Sequence, residues 1–131
     1  MVMISRSALE DMIAHAREEV PFEACGYLAG TEEQVVANLR LKNVDASPEH
    51  FSLDPAEQFD AMKRARELGL KLIGIYHSHP ESPARPSDED LRLANDPGLS
   101  YVIISLAGES PETKSYRIQK GKAELEKVEI I

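Results

Sequence analysis

The chain has a single cysteine, Cys25, among 131 residues. One thiol excludes an internal disulfide and any Cys-rich zinc cluster, and it fits a reducing compartment. Any metal bound here has to be held by histidines and carboxylates. Long apolar runs are also missing. The opening stretch, MVMISRSALEDMIAHAREEV, is broken by charges every few positions, so it has no apolar core of signal-peptide length, and nothing later approaches the ~20 apolar residues of a membrane span. A soluble cytoplasmic protein is expected. Positive charge is scarce: 15 Lys and Arg stand against 23 Asp and Glu, a formal net charge of -8. Nucleic-acid backbones and anionic membranes draw affinity from clustered cations, so neither is expected as a partner. There is no low-complexity tract and no internal repeat, and 42% hydrophobic residues are enough to build a core. The length suits one domain over residues 1–131 rather than two.

Periodicity sets out a mixed order of elements. Leu9, Met12, Ile13, Ala16 and Val20 recur at helical spacing behind Ser5 or Ser7 as the cap, and Pro21 closes the helix. CGYLAG and QVVANLRLKNV read as two strands joined by a turn over GTEE, and NVDASPEHFSLD as a loop with a short extended piece at 51–53. A second helix has Asp54 as cap and Pro55 in its first turn, carries Phe59, Met62, Ala65 and Leu68 on one face, and ends at Gly69. LKLIGIYH is an apolar strand, SDEDLRLAND a short helix and LSYVIISLAG a buried strand; TKSYRIQ and AELEKVEI close the chain as two alternating strands. The expected class is α/β, a mixed central β-sheet flanked by helices.

Chemistry concentrates in GIYHSHPESPARPSDED. Residues two apart on a strand share a face, so His77 and His79 project side by side at about 6 to 7 Å between Cα atoms. By itself this spacing does not separate a ligand pair from two ordinary buried histidines. Pro86 and Ser87 then open a helix in which Asp90 is the third residue, and S-x-x-D turns that carboxylate back toward the helix entrance. Two histidines and one carboxylate leave a tetrahedral Zn²⁺ an open fourth position, the arrangement of a catalytic site. A hydrolase also needs a carboxylate near the metal to carry a proton. Glu23, between the first helix and the first strand in PFEACG, is the candidate.

These residues resemble a known family. EACG at 23–26 followed by HSHPESPARPSDED is similar to the JAMM (MPN+) metalloprotease pattern, a glutamate upstream of H-x-H-P-x5-P-S-x2-D, with His77, His79, Pro80, Pro86, Ser87 and Asp90 at its fixed positions. The resemblance spans nearly the whole chain. It implies a single MPN-type, cytidine-deaminase-like domain holding one Zn²⁺ per chain on His77, His79 and Asp90. It further implies Glu23 as general acid/base and the Ser87 hydroxyl as the donor that steadies the oxyanion. The small stand-alone prokaryotic members are the nearest in length, so the implied activity is hydrolysis of the peptide or isopeptide bond after the C-terminal diglycine of a ubiquitin-like or sulfur-carrier protein. Homodimer formation is left open.

Other readings stand beside this one. Cys25 near a histidine is a nucleophile in some enzymes, but it opens an apolar strand beside Gly26, where a small buried filler is expected. A small-peptide zinc amidohydrolase would use the same site, and a non-catalytic MPN scaffold would not need the ligands. FSLDP reads as part of the wall of a narrow groove for a Gly-Gly tail or, for the side chains of Phe51 and Leu53, as core, and Lys63, Arg64 and Arg66 read as a solvated face. Asp88 and Glu89 read as first-turn acids favoured by the helix dipole and turned away from Asp90.

Overall fold

The computed structural model describes all 131 residues. In chain order the elements are β1 (Val2–Ile4), α1 (Arg6–Glu19), β2 (Cys25–Thr31), β3 (Gln34–Leu41), α2 (Pro55–Glu67), β4 (Lys71–His79), α3 (Asp88–Leu93), β5 (Ser100–Ser105), β6 (Glu112–Gln119), β7 (Lys122–Glu126) and β8 (Val128–Ile130). All the strands join one mixed sheet in the order β7-β6-β5-β4-β2-β3-β1-β8. The expected α/β class with a mixed central sheet and flanking helices is borne out. No helix is long and apolar enough to cross a membrane.

The helices form where the caps and spacing direct, with two differences in which faces they bury. In α1 the Ser5 hydroxyl accepts from the Ala8 N–H at 3.2 Å, and Ala8, Met12 and Ala16 turn inward. Val20 does not join them, because α1 ends at Glu19 and the chain turns away into Pro21; His15 is buried on that face instead. In α2, Pro55 begins the helix and Gly69 follows its end at φ +73°, a conformation glycine adopts without strain. Its buried residues are Ala61 and Ala65, while Phe59 is 66% exposed and Met62 and Leu68 also face solvent. Small alanines let the helix axis approach the sheet closely, and the larger apolar side chains are left outside.

A bulge in β4 decides which face its first residues occupy. The β2–β4 register passes from Leu28 opposite Gly74 to Ala29 opposite Leu72, which leaves Ile73 as an extra residue. The extra residue reverses the alternation. Ile73 therefore packs with α1, as Tyr76 does, whereas Leu72 and Ile75 belong to the opposite face. That second face also carries His77 and His79. Its helices are α2, over Cys25, Tyr27 and Ala29, and α3, whose Leu91 packs near Ile103 and Ile118.

The last strand departs from expectation. AELEKVEI is not one strand but two, β7 and β8, separated by Lys127 alone and lying at opposite ends of the strand order. The sheet must therefore curl until its two edges approach. β8 pairs in parallel with β1, and the Val2 N–H donates to the Lys127 carbonyl at 2.9 Å. The curl wraps the sheet around α1. The 51–53 stretch, expected to contain a short extended piece, carries no strand.

Gly26 faces the ring of Tyr76 across the β2–β4 pair. A Cβ there would collide with the ring of Tyr76 and with the Leu39 carbonyl. Gly26→Ala should destabilise the metal-free protein by about 1–3 kcal/mol, read as a lower urea midpoint with an unchanged slope; an unchanged midpoint would mean that Tyr76 moves aside freely.

Candidate metal centre

Strand pairing assembles the site. β2 runs antiparallel to β4 with Cys25 opposite His77, which carries Glu23 to the His79 end of β4. Ser78 locks the junction from the other face: its hydroxyl accepts from the Ala24 N–H at 2.8 Å, and its N–H donates to the Ala24 carbonyl at 3.0 Å. Asn43 fixes the same junction from the loop side, donating to the Glu23 carbonyl at 3.1 Å and to the His50 carbonyl at 3.0 Å. Its side-chain oxygen accepts from the Ser52 N–H. Phe51, held between those last two anchors, stacks on the His77 ring at 4.8 Å between centroids.

Asp90 arrives through the helix cap. The Ser87 hydroxyl accepts from the Asp90 N–H at 3.0 Å, and Asp90 Oδ2 accepts from the Ser87 N–H at 2.9 Å, a complete capping box. The same Oδ2 lies 3.1 Å from His77 Nε2 and 3.2 Å from His79 Nε2, and the two Nε2 atoms are 3.1 Å apart. Three atoms that all carry lone pairs come this close only where a shared proton or a metal ion lies among them. A tetrahedral ion with bonds of about 2.0 Å has ligand-to-ligand edges of about 3.3 Å, close to the triangle observed, so the residues fit a metal ion with the remaining tetrahedral position open. His77, His79 and Asp90 together form a group able to hold one.

The loop from 80 to 86 is anchored rather than free. Its consecutive carbonyls at Ser82, Pro83 and Ala84 accept from Ser105 Oγ at 2.6 Å, His79 Nδ1 at 2.8 Å and Tyr116 Oη at 2.6 Å. Donation from Nδ1 fixes the tautomer of a neutral His79 and leaves Nε2 its lone pair for a metal. Ser105 and Tyr116 hold the carbonyls on either side of that acceptor.

Electrostatics mark the same spot. Burial pushes the Glu23 carboxyl up to about 8, partly offset by His79 and reinforced by the charges of Asp90 and Glu89. Glu23 is 3% exposed and its Oε1 has no hydrogen-bond partner. Burial works to raise Asp90 too, but the hydrogen bonds of His77 and His79 outweigh it and hold the carboxyl well below the usual range. Burial lowers His79, and the Asp90 and Pro83 acceptors reverse this, so it holds its proton above the usual range. In the metal-free chain, protons stand where a cation would.

Of the sequence-derived site residues, His77, His79, Asp90 and Ser87 meet directly, and Glu23 lies buried beside them. Glu89, expected as a solvated first-turn acid, is half-buried, and its charge is felt by Glu23. Cys25 is fully buried, donates weakly to the Leu41 carbonyl at 3.8 Å, and has its thiol pushed up to about 12 by burial, so it stays protonated and serves as a filler. Asn43, Ser78, Ser105 and Tyr116 were not singled out for the site by motif spacing. Asn43 in a loop is the one with a local signal, since Asn readily organises turns.

A mixed sheet presenting two strand histidines to a helix-capping aspartate defines a domain of the JAMM/MPN class. The chain belongs to the family described as prokaryotic homologs of the JAB domain, whose model matches residues 5–119. It is 34% identical to the CysO-cysteine peptidase of Mycobacterium tuberculosis over 134 aligned positions, covering 100% of this chain and 92% of the relative. It is 37% identical to a desampylase of Haloferax volcanii over 112 positions, 80% of this chain and 81% of that one. The solution structure of a protein from Desulfitobacterium hafniense is 46% identical, with a TM-score of 0.92 over 100% of this chain and 93% of that chain. The family resemblance and the reading as a hydrolytic enzyme of the JAMM type are borne out.

Two outcomes follow from the geometry. Tyr116→Phe frees the Ala84 carbonyl and loosens the acceptor of His79, so metal affinity measured by competition with a chromophoric chelator should fall by about tenfold; undiminished affinity would show that Ser105 alone holds the loop. For Glu23, the folded chain holds its proton to about 8 against the usual 4.5, so the folded state binds the extra proton between these values and loses stability as pH rises through them. Metal-free Glu23→Gln should therefore melt with wild type near pH 4 and increasingly above it up to pH 8.5, and a gap that does not grow with pH would contradict the buried-carboxyl account.

Proposed function

We propose that this protein is a zinc-dependent peptidase that hydrolyses the bond after the C-terminal diglycine of a ubiquitin-like or sulfur-carrier protein. The observation that carries the reading is the buried ligand triangle with an unpartnered carboxyl beside it. The ligand set of two imidazoles and one carboxylate suits zinc, one ion per chain. Full-length similarity to a peptidase named for CysO-cysteine supports the substrate class, and the desampylase similarity supports the reaction type.

Bound at the triangle, zinc supplies Lewis acidity, activating a water and polarising the scissile carbonyl. His77, His79 and Asp90 hold it. Glu23 accepts the water's proton, its carboxyl ionising more readily beside a dication than in the metal-free chain. It then gives that proton to the leaving nitrogen, a transfer suited to a carboxyl whose affinity for protons is raised by burial. The Ser87 hydroxyl accepts from Asp90 N–H and still has its own proton to donate, so it stabilises the oxygen on which charge develops. The cap is also the oxyanion donor.

The test is a diglycine-terminated ubiquitin-like carrier extended by a short peptide, incubated with zinc-loaded protein and followed by intact mass. Cleavage should fall just after Gly-Gly. Glu23→Gln should retain zinc and lose about 10²–10⁴-fold in rate, while His77→Ala should lose the zinc itself. Zinc binding without cleavage of any carrier would redirect the reading to small peptides; no retained zinc would favour a scaffold.

A further inference from the structure

Between α2 and α3 the sheet is left uncovered, and a cavity of about 400 Å³ opens over it, within the roughly 300–1,000 Å³ range of ligand sites. Ile75, Ile103 and Ile118 line its sheet side, Phe51 and Leu53 one wall, and Leu93 of α3 the other. Leu93 is 59% exposed, an apolar side chain standing open at the rim. His77 and Asp90 also line the cavity, so it is continuous with the metal centre, whereas neither Glu23 nor His79 touches it. Apart from the ligand Asp90, its one carboxylate is Glu89; no Lys or Arg lines it.

Two glycines have no side chain to place in such a space. β4 supplies the direction. Ile75, His77 and His79 follow one another along one face of the strand, with Glu23 brought to the His79 end by the β2–β4 register. The leaving nitrogen takes its proton from Glu23, so it departs at that end and the acyl chain extends the other way, over Ile75. The step from His77 to Ile75 is two residues, about 6.6 Å along a strand, and two extended glycines span the same distance. Resting on the peptidase reading above, we propose that this cavity binds the side chain of the third residue back from the scissile bond, and that this residue is apolar. An acidic side chain there meets the Glu89 carboxylate, and no Lys or Arg lines the cavity to offset it.

Peptides of the form Ala-Ala-Xaa-Gly-Gly-Ser-Ala, with Xaa as Leu, Ala or Asp, test this on the zinc-loaded protein, with products read by mass spectrometry. The kcat/KM for Leu should exceed that for Asp at least tenfold, with Ala between. Leu93→Lys places a cation at the rim and should shrink or invert the Leu-to-Asp ratio; because Leu93 is exposed, melting temperature and zinc content report that the fold is kept. Equal rates for the three peptides, or a preference that follows the residue after the bond, would overturn the assignment while leaving the peptidase intact. Failure to cleave any peptide or any carrier fusion, with zinc bound, would overturn the peptidase reading and this one with it.

Discussion

The antiparallel pairing of β2 with β4 is the constraint on which the site depends. Glu23 and His79 are far apart in the chain and have no local reason to meet. The register with Cys25 opposite His77 brings them to one end of β4, and Ser78 fastens that register with two hydrogen bonds to Ala24. A slip of one residue would turn both histidines toward α1, where Tyr76 now fills the space. Gly26 allows that filling by admitting the Tyr76 ring against the backbone. The strand that carries the histidines is thus held in one setting by packing on its far face.

Burial then makes the site costly and gives it its chemistry. A carboxyl without a hydrogen-bond partner and three convergent lone-pair atoms destabilise the metal-free fold; the surrounding structure holds them nonetheless. It does so through the Asn43 hub, the capping box and the run of three anchored carbonyls at 82–84. Burial holds the proton on Glu23, while the hydrogen bonds between Asp90 and the two histidines keep Asp90 ionised and His79 protonated.

Much of this was legible in the sequence where the physics is local. Strand alternation put His77 and His79 on one face, and the cap pattern turned Asp90 toward them, because both rules act within a few residues. Glu23 was reached only by asking what a hydrolase needs and by the family pattern, since its position depends on strand register. Of the α2 face read from spacing, Ala65 is buried as Ala61 is, while Phe59, Met62 and Leu68 stay outside, because close packing on the sheet selected the small residues rather than the large ones. The strand pair β1 and β8 was not legible: three-residue strands carry too little periodicity, and their pairing follows from closure of the whole sheet.

The central claim is that one metal ion sits on His77, His79 and Asp90. X-ray absorption at the zinc edge of the loaded protein tests it most directly. The account predicts one zinc per chain with two imidazole nitrogens and light oxygen scatterers at about 2.0 Å and no sulfur. A sulfur scatterer at about 2.3 Å, which Cys25 alone or a methionine could supply, or a coordination shell without imidazole, would contradict it.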